Sequence, residues 1–232
     1  PVHSVETHLT RLIAKGHRVA ICEQLEDAKA TKGLVTRGVV RVVSPGTVLE
    51  PALLEAGTGQ WCAALALEGG VGGAGEAKAA GVRAGIAAVD LSTGQFRVCE
   101  LGGGLGAAGA RRAAGAELAR LGVSELLLPE DAAPVLEGLT DQAAAAPSLT
   151  PRGARTFDAG RGAAALEQRF GLSDVEGLGL AGKEAVLAAV AALLDYLGAA
   201  QPETVLGGGL HHLERPRLYQ PEAAMQLDRA TE

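Results

Sequence analysis

Apolar residues recur along this chain with two different spacings, and the alternation predicts a mixed α/β protein. Spacings of three and four residues are typical of amphipathic helices, whereas short apolar runs between turn residues are typical of strands. The predicted elements, in order, are a helix 4–15, strands 19–22, 38–44, 61–67, 84–91 and 95–101, a helix 107–121, a strand 124–129, a short helix 130–137, an edge strand 155–157, and helices 158–170 and 182–197. Loops are predicted at 68–83 and 143–151, and a loop or short helix at 26–33.

The order of these elements divides the chain into three regions with different character. Residues 1–55 form a small α/β section, and residues 56–200 form a larger unit in which three antiparallel strands precede alternating helices and strands. That succession is similar to the α/β layer of ribonuclease H-like proteins. From 201 to 232 the pattern loosens, and residues 218–232 read as an extended lead-in to another domain.

The first region predicts neighbours that these 232 residues do not supply. The strand 19–22 (VAIC) is apolar on both faces, which predicts burial on both faces. The chain also opens on Pro1 without an initiator methionine and closes on Glu232 where a helix pattern begins. We therefore expect a segment of a larger protein.

Composition favours a globular chain and excludes several classes. Apolar residues make up 47% and charged residues 21%, no run reaches the ~18 apolar residues of a membrane span, and no secretion signal opens the chain. We therefore expect no membrane partner. The three cysteines are odd in number and lie inside apolar runs rather than in closely spaced pairs. This argues against a disulfide framework or a zinc site and is compatible with a reducing cytoplasm.

Charge is unevenly distributed, and this narrows where nucleic acid could bind. The first fifty residues hold seven Lys/Arg and five Asp/Glu, whereas the remainder holds fourteen and twenty-two. Because phosphate contacts need cations, any DNA contact should come from the first region, where Lys32, Arg37 and Arg41 are the candidates. Alternatively, Arg41, flanked by valines, marks only the solvent face of an alternating strand.

Asp90 is the sharpest candidate for catalysis, because a carboxylate on the first hairpin of a ribonuclease H-like fold could bind magnesium. Two-metal chemistry needs several convergent carboxylates, and the later acids, such as Glu125 and Asp158, read as caps or loop residues. Asp90 before Leu-Ser-Thr-Gly is also typical of a turn, since its side chain can accept backbone N–H bonds. The turn interpretation is favoured.

The remaining candidates have simpler interpretations. His211-His212 lacks a third ligand at zinc spacing and is read as a solvated loop, and Arg111-Arg112 as a solvated helix face. Cys22 and Cys99 are expected to be small buried apolar residues, and Trp61 an anchor of the core or of a domain interface.

Six segments in order resemble the MutS family of bacterial DNA mismatch repair proteins. HLTRLIAKGHRVAICEQLED (8–27) and TRGVVRVVSPGT (36–47) are similar to the second half of its mismatch-binding domain. AAVDLSTGQFRV (87–98), SELLLPE (124–130) and RFGLSDVEGLGL (169–180) are similar to its connector domain, and RLYQPEAAMQLDRATE (217–232) to the entry of its core, or lever, domain. The resemblance covers nearly the whole chain.

The resemblance implies a homodimeric clamp that binds mispairs or small loops in duplex DNA and uses ATP to recruit MutL. It implies a mismatch-binding end at 1–55, a ribonuclease H-like connector at 56–200 and the start of the core at 201–232, with basic residues around Lys32, Arg37 and Arg41. The family's Phe-x-Glu wedge would precede Pro1. The P-loop pattern does not occur here, because Gly182-Lys183 is followed by Glu184.

We therefore expect a non-catalytic connector segment that holds no cofactor itself, while the full-length parent would use ATP and Mg²⁺. Two alternatives stay open. One is a divergent Mg²⁺-dependent ribonuclease H-like nuclease built on Asp90, and the other is a stand-alone protein-interaction module.

Overall fold

A helix and two strands form the N-terminal unit, by which we mean the described residues between 5 and 48. The computed structural model of the chain describes residues 5–26, 33–48, 60–68, 82–102, 106–132, 146–201 and 210–221. The N-terminal unit consists of α1 (Val5–Ile13), β1 (Val19–Gln24) and β2 (Arg37–Val43), and the two strands pair antiparallel. Helix α1 buries Leu9 against Val43 and Val48. The predicted helix and both predicted strands are confirmed.

On β1 the other face of this two-stranded sheet is exposed, so the described residues do not supply the burial on both faces that is predicted for residues 19–22. Val19 and Ile21 pack toward α1, whereas Ala20 and Cys22 are exposed. Successive side chains of a strand point to opposite faces, and α1 packs on one of them. The expectation of a buried Cys22 is corrected for the same reason.

Six strands and three helices form the second unit, which we call the α/β body. Its elements are β3 (Trp61–Glu68), β4 (Arg83–Asp90), β5 (Gln95–Gly102), α2 (Ala107–Leu121), β6 (Val123–Pro129), β7 (Ser148–Arg152), α3 (Ala159–Phe170), α4 (Glu184–Ala200) and β8 (Arg217–Leu218), with short 3₁₀ turns at Ala154–Thr156 and Glu176–Leu178. The strand order is β7-β6-β3-β4-β5-β8. Strands β3, β4 and β5 form the predicted antiparallel meander, whereas β6 runs parallel to β3, β7 to β6 and β8 to β5.

The central sheet is apolar on both faces and lies between two helical layers. On β3, Cys62 and Ala64 pack with α3 and α4, whereas Ala63 and Leu65 pack with α2. The two faces alternate with the period of two that strands require. Since each face is covered by helices, the body is a three-layer α/β/α arrangement.

Helix α4 lies directly against the sheet because a glycine faces it. A Cβ atom built on Gly85 would lie 2.1 Å from the carbonyl carbon of Ala185. Small residues at this contact replace the large aromatic anchors that the composition lacks, and they bring the backbones of β4 and α4 together.

Strand β7 corrects the sequence prediction for residues 143–157. The strand lies at Ser148–Arg152, inside the predicted loop, and the predicted edge strand at 155–157 is instead a 3₁₀ turn and its cap. Pro151 is compatible with β7 because β7 is the outer strand of the sheet, where a missing N–H donor is tolerated. Asp158 caps α3 as predicted, with its Oδ1 atom 2.7 Å from the amide nitrogen of Arg161.

Several predictions fall mostly or wholly outside the described residues. They are the loop or short helix at 26–33, the loop at 68–83, the short helix at 130–137 and the lead-in beyond residue 221. Within the described part of the chain, no helix combines the length and apolarity needed to cross a membrane.

Candidate functional site

The predicted phosphate-binding cations are only partly placed. Lys32 lies outside the described residues. Arg37 is exposed at the start of β2, and Arg41 is half-buried and already has an interaction partner. The pairing of β2 with β1 shifts by one residue at Val40, so that Val39 pairs with Cys22 and Arg41 with Ile21. Arg37 therefore shares the exposed face of Val39, whereas Arg41 lies on the other face, with Ile21. The assignment of these residues to DNA remains a prediction.

Asp90 occupies the turn position that its sequence context predicted. Its Oδ1 atom accepts hydrogen bonds from the amide of Ser92 at 2.9 Å and from the Ser92 hydroxyl at 2.6 Å. The main-chain oxygen of Asp90 accepts from the amide of Gly94 at 2.8 Å, and Gly94 has a left-handed φ of 78°. The carboxylate is 4% exposed, and its hydrogen bonds hold the β4–β5 turn.

Other candidate residues also have structural partners. Within the described ranges, no three His, Cys, Asp or Glu side chains are grouped so as to hold a metal ion. His212 bonds through Nε2 to the main-chain oxygen of Leu91 at 2.8 Å. Lys183, which follows Gly182 where the P-loop pattern fails, pairs with Glu100 at 3.2 Å.

The remaining candidates are two arginines, Arg111 and Arg112, and two predicted core residues, Cys99 and Trp61. Arg112 is exposed and Arg111 half-buried on α2. Cys99 is buried as expected, and so is Trp61, which lies beneath the Arg97 guanidinium at 4.8 Å from its ring centroid.

The most elaborate polar arrangement in the described chain surrounds Glu125, and we call it the Glu125 cluster. It joins the turn 44–47 of the N-terminal unit to three elements of the α/β body. Glu125 is the third residue of β6 and is 0% exposed. The other members are Ser44 and Gly46 from the turn, Thr150 from β7 and Tyr196 from α4. Glu125 was expected at a cap or in a loop, and the structure corrects this to a strand interior.

Four donors saturate the Glu125 carboxylate. Oε2 accepts from the Ser44 hydroxyl and from the Gly46 amide at 3.1 Å. Oε1 accepts from the Thr150 hydroxyl at 2.6 Å and from the Tyr196 hydroxyl at 2.7 Å. An ionised carboxylate accepts hydrogen bonds only and has about four lone-pair positions. The arrangement therefore matches a carboxylate, and it stabilises that buried group without a cation among its direct donors.

Tyr196 contacts both units at once. Its hydroxyl oxygen lies 3.1 Å from Ser44 Oγ of the N-terminal unit while donating to Glu125. The guanidinium groups of Arg18, from the N-terminal unit, and Arg152, from β7, lie 5.3 and 5.6 Å from its ring centroid. Such cation–π contacts contribute roughly 0.5–2 kcal/mol each. Tyr196 is therefore the central contact between the two units.

Gly46 is required at its position because a side chain would not fit there, and not because of its backbone angles. A Cβ atom there would lie 2.7 Å from Glu125 Cβ and 2.9 Å from Cys62 Cβ. Both neighbours are fixed on strands, so neither can rotate away. The turn 44–47 consequently approaches the sheet closely enough for the Gly46 amide to reach Glu125.

Burial at this junction changes the acidity of its neutral groups. The pKa of the Cys62 thiol is well above its ordinary value because of burial and, secondarily, the nearby Glu125 charge. The pKa of Tyr196 is raised, first by burial and then by Glu125. Both groups therefore stay protonated, and Tyr196 remains a hydrogen-bond donor.

A second buried carboxylate, Glu117 on α2, binds the segment that follows the body. We call Glu117, Arg120 and Tyr219 the Glu117 cluster. Arg120 forms a two-pronged contact with Glu117, with donor–acceptor distances of 2.9 and 2.6 Å, and the Tyr219 hydroxyl donates to Oε1. Glu117 is 3% exposed, whereas the Arg120 side chain is 46% exposed. The amide of Tyr219 also donates to the main-chain oxygen of Val98 at 3.0 Å.

The arrangement as a whole defines a two-part α/β protein, in which a helix–hairpin unit is fixed by a buried polar cluster to an α/β/α body. Two family models match these parts, "MutS domain I" over residues 1–52 and "MutS domain II" over residues 73–210. The second match covers more than half of the chain.

Relatives match over most or all of the chain. The DNA mismatch repair protein MutS of Desulfosudis oleivorans is 35% identical over 239 aligned residues, which cover 100% of this chain and 24% of that protein. The MutS protein of Solibacter usitatus is 36% identical over 231 residues, with 100% and 24% covered. That of Methanothrix thermoacetophila is 41% identical over 142 residues, covering 61% and 14%. The chain belongs to the MutS family of DNA mismatch repair proteins and spans about a quarter of the length of these relatives.

Proposed function

We propose that this chain comprises the end of the mismatch-binding domain, the whole connector domain and the start of the core domain of a mismatch-recognition protein. The observation that carries the proposal is the Glu125 cluster, which fixes the turn 44–47 onto the α/β body. A segment that joins a DNA-binding domain to the rest of a protein must hold that domain in a defined orientation. A buried, fully hydrogen-bonded junction serves this purpose.

The strand arrangement supports a ribonuclease H-like connector. Three antiparallel strands, β3 to β5, are followed by β6 and β7, which add in parallel beside β3. This succession of strands is the support for that assignment. Under this proposal, the boundaries of the three domains lie near residues 55 and 200.

The connector holds no catalytic centre in this proposal. Asp90 is engaged by Ser92 in a turn, and Lys183 by Glu100 in an ion pair. ATP and Mg²⁺ belong to the full-length parent, which acts as a homodimer that binds mispaired duplex DNA and recruits MutL. The segment transmits the state of the parent's ATPase toward the DNA.

Contacts to DNA from this segment are limited to the phosphate backbone. Lys32, Arg37 and Arg41 supply charge in the net-basic first region, and Arg37 is exposed on β2. Because phosphate contacts carry no sequence information, these residues strengthen binding to matched and mispaired duplexes alike.

A chimeric protein tests the proposal. The aligned segment of the Desulfosudis oleivorans MutS protein is replaced by this chain, and affinities are measured for a duplex with a G·T mispair and for the matched duplex. We expect the chimera to prefer the mispair, to release DNA on addition of ATP and to recruit MutL. A folded chimera without mispair preference contradicts the proposal.

The matched variant of this chimera carries Lys32→Gln, Arg37→Gln and Arg41→Gln. Each lost phosphate contact should lower the slope of log affinity against log salt by roughly one, equally for both duplexes. A loss confined to the mispaired duplex would instead assign these residues a role in mispair recognition.

A cleavage assay on this chain alone distinguishes the nuclease alternative from the connector proposal. We expect no cleavage of DNA or of RNA–DNA hybrids in Mg²⁺ or Mn²⁺. Cleavage that Asp90→Asn abolishes would establish the nuclease and displace the connector proposal.

A further inference from the structure

The two polar clusters lie on one short stretch of chain. Glu117 is in the last turns of α2, and Glu125 is the third residue of β6. Between helix and strand stands a single residue, Gly122, in the left-handed conformation with φ 66° and ψ 47°. Such a one-residue connection leaves little freedom for the helix to move independently of the strand.

The same stretch is also held by apolar packing. Leu118 and Leu121 of α2 lie in one buried cluster with Val123 and Leu126 of β6. Because protein interiors are close-packed and deform little, a displacement of the last turn of α2 has to be accompanied by a displacement of the start of β6.

One cluster attaches a segment that precedes the body in sequence, and the other attaches a segment that follows its last helix. The Glu125 cluster binds Ser44 and Gly46, which precede the body in sequence, and the Glu117 cluster binds Tyr219, which follows its last helix. If each attachment opens and closes, the stretch Glu117–Glu125 stands between two elements that each have two states, which is the condition for energetic coupling between sites.

We propose that the stretch Glu117–Glu125 couples the two attachments, so that binding of Tyr219 at the Glu117 cluster favours binding of the turn 44–47 at the Glu125 cluster. The inference rests on the proposed function, and it assigns the connector's transmission to a particular helix–strand pair. Linkage requires the coupling to be reciprocal, and this requirement gives the test.

Hydrogen exchange measured by NMR on this chain reports both attachments. The Gly46 amide, which donates to Glu125, reports one cluster, and the amide of residue 219, which donates to Val98, reports the other. Exchange at Ile86 in the central strand β4 reports global unfolding, and each rate is taken relative to it.

Breaking one cluster should loosen the other. Tyr219→Phe should speed exchange at Gly46, and Tyr196→Phe should speed exchange at residue 219, each by about five-fold or more, within the usual range of allosteric coupling. Ser44→Ala and Arg120→Ala provide a second pair of variants if either tyrosine variant fails to fold.

Two controls test whether the distant effect passes through the connection between α2 and β6. Asp158→Ala removes the cap of α3 and should leave both reporter amides within two-fold of the parent chain. Insertion of two glycines after Gly122 should abolish the distant effects of the tyrosine variants while their local effects persist.

Unchanged distant amides, with the local amide accelerated in each variant, would overturn the coupling. A distant effect in only one of the two directions would also overturn it. Neither result touches the proposed function, because mispair preference is measured separately in the chimera.

Discussion

The Glu125 and Glu117 clusters solve the same physical problem in different ways. Each contains a glutamate that is almost fully buried and that accepts a hydrogen bond from a tyrosine hydroxyl. Glu117 has a direct cationic partner in Arg120, whose side chain is 46% exposed. Glu125 instead accepts four hydrogen bonds from neutral hydroxyl and amide groups.

The difference separates a local contact from one that depends on the complete fold. Glu117 and Arg120 are three residues apart on one helix and can meet as soon as α2 forms. The partners of Glu125 come from three other elements, and Ser44 and Tyr196 are 152 residues apart in sequence. The Glu125 cluster consequently forms only when the N-terminal unit is seated on the α/β body.

The largest contrast is expected between Glu125→Gln and Glu117→Gln. In Glu125→Gln the amide NH₂ faces two of the four donors, and leaving two buried donors unsatisfied costs about 2–4 kcal/mol. Glu117→Gln keeps an acceptor for Tyr219 and leaves Arg120 partly in water, which costs about 1 kcal/mol. Urea denaturation of the two variants and the parent chain measures the free energies of unfolding. Equal losses would show that burial, rather than the kind of partner, sets the cost.

Gly46→Ala tests whether the close approach of the turn 44–47 matters. The new Cβ atom would overlap Glu125 Cβ and Cys62 Cβ, and such overpacking costs about 1–3 kcal/mol. Gly198→Ala is the matched control, since no atom lies within 4 Å of its Cβ position on α4, and removal of a helical glycine should stabilise by up to about 1 kcal/mol. Thermal unfolding distinguishes the two, and a neutral Gly46→Ala would mean that the turn can move away from the sheet.

Much of the body could be predicted from sequence because its signals are local. The meander β3–β5, helix α2 with its terminal Gly122, and the Asp158 cap all depend on residues within a few positions of one another. Strand β7 was missed because Pro151 usually signals a loop, and only its place at the edge of the sheet makes proline acceptable there. Cys22 was misplaced because an apolar run does not show how many layers cover it.

The site itself could not be predicted, since its partners are distant in sequence. An acidic residue within SELLLP is the one local signal, because a charge inside a buried strand needs partners. Nothing near Glu125 in the sequence identifies Ser44 or Tyr196 as those partners. The SPGT segment (44–47) carries part of the family resemblance, whereas its contact with β6 follows only from the fold.

Alkaline pH should weaken both clusters, because a buried thiol lies beside each of them. Cys62 is beside Glu125, and Cys99 is beside Tyr219. Burial raises the pKa of Cys99 to about 12 and that of Cys62 well above its ordinary value. As pH rises, the unfolded chain loses these protons first, so stability falls from the unfolded pKa up to the folded one. Each thiol should account for about 1.4 kcal/mol between pH 8 and 10.

Cys62→Ala and Cys99→Ala test this assignment. Each should make the fall in unfolding free energy between pH 8 and 10 shallower by that amount. Val98→Ala, beside Cys99 on β5, removes volume without removing a titrating group and should leave the pH dependence unchanged. A fall as steep in both cysteine variants as in the parent chain would assign the alkaline loss to other groups.

The smallest predicted effect is a salt dependence. It tests most directly whether charged or neutral partners stabilise each glutamate. Raising NaCl from 0.1 to 1 M shortens the screening length from about 10 Å to about 3 Å. The cost of Glu117→Gln should then fall by about half a kcal/mol, because Arg120 is partly in water. The cost of Glu125→Gln should stay within about 0.3 kcal/mol, since its partners are neutral and buried. The measurement is the difference in urea unfolding free energy at the two salt concentrations. If both costs fall equally, the Glu125 carboxylate is stabilised by nearby cations such as Arg18 and Arg152, and the two clusters do not differ in the kind of partner that stabilises them.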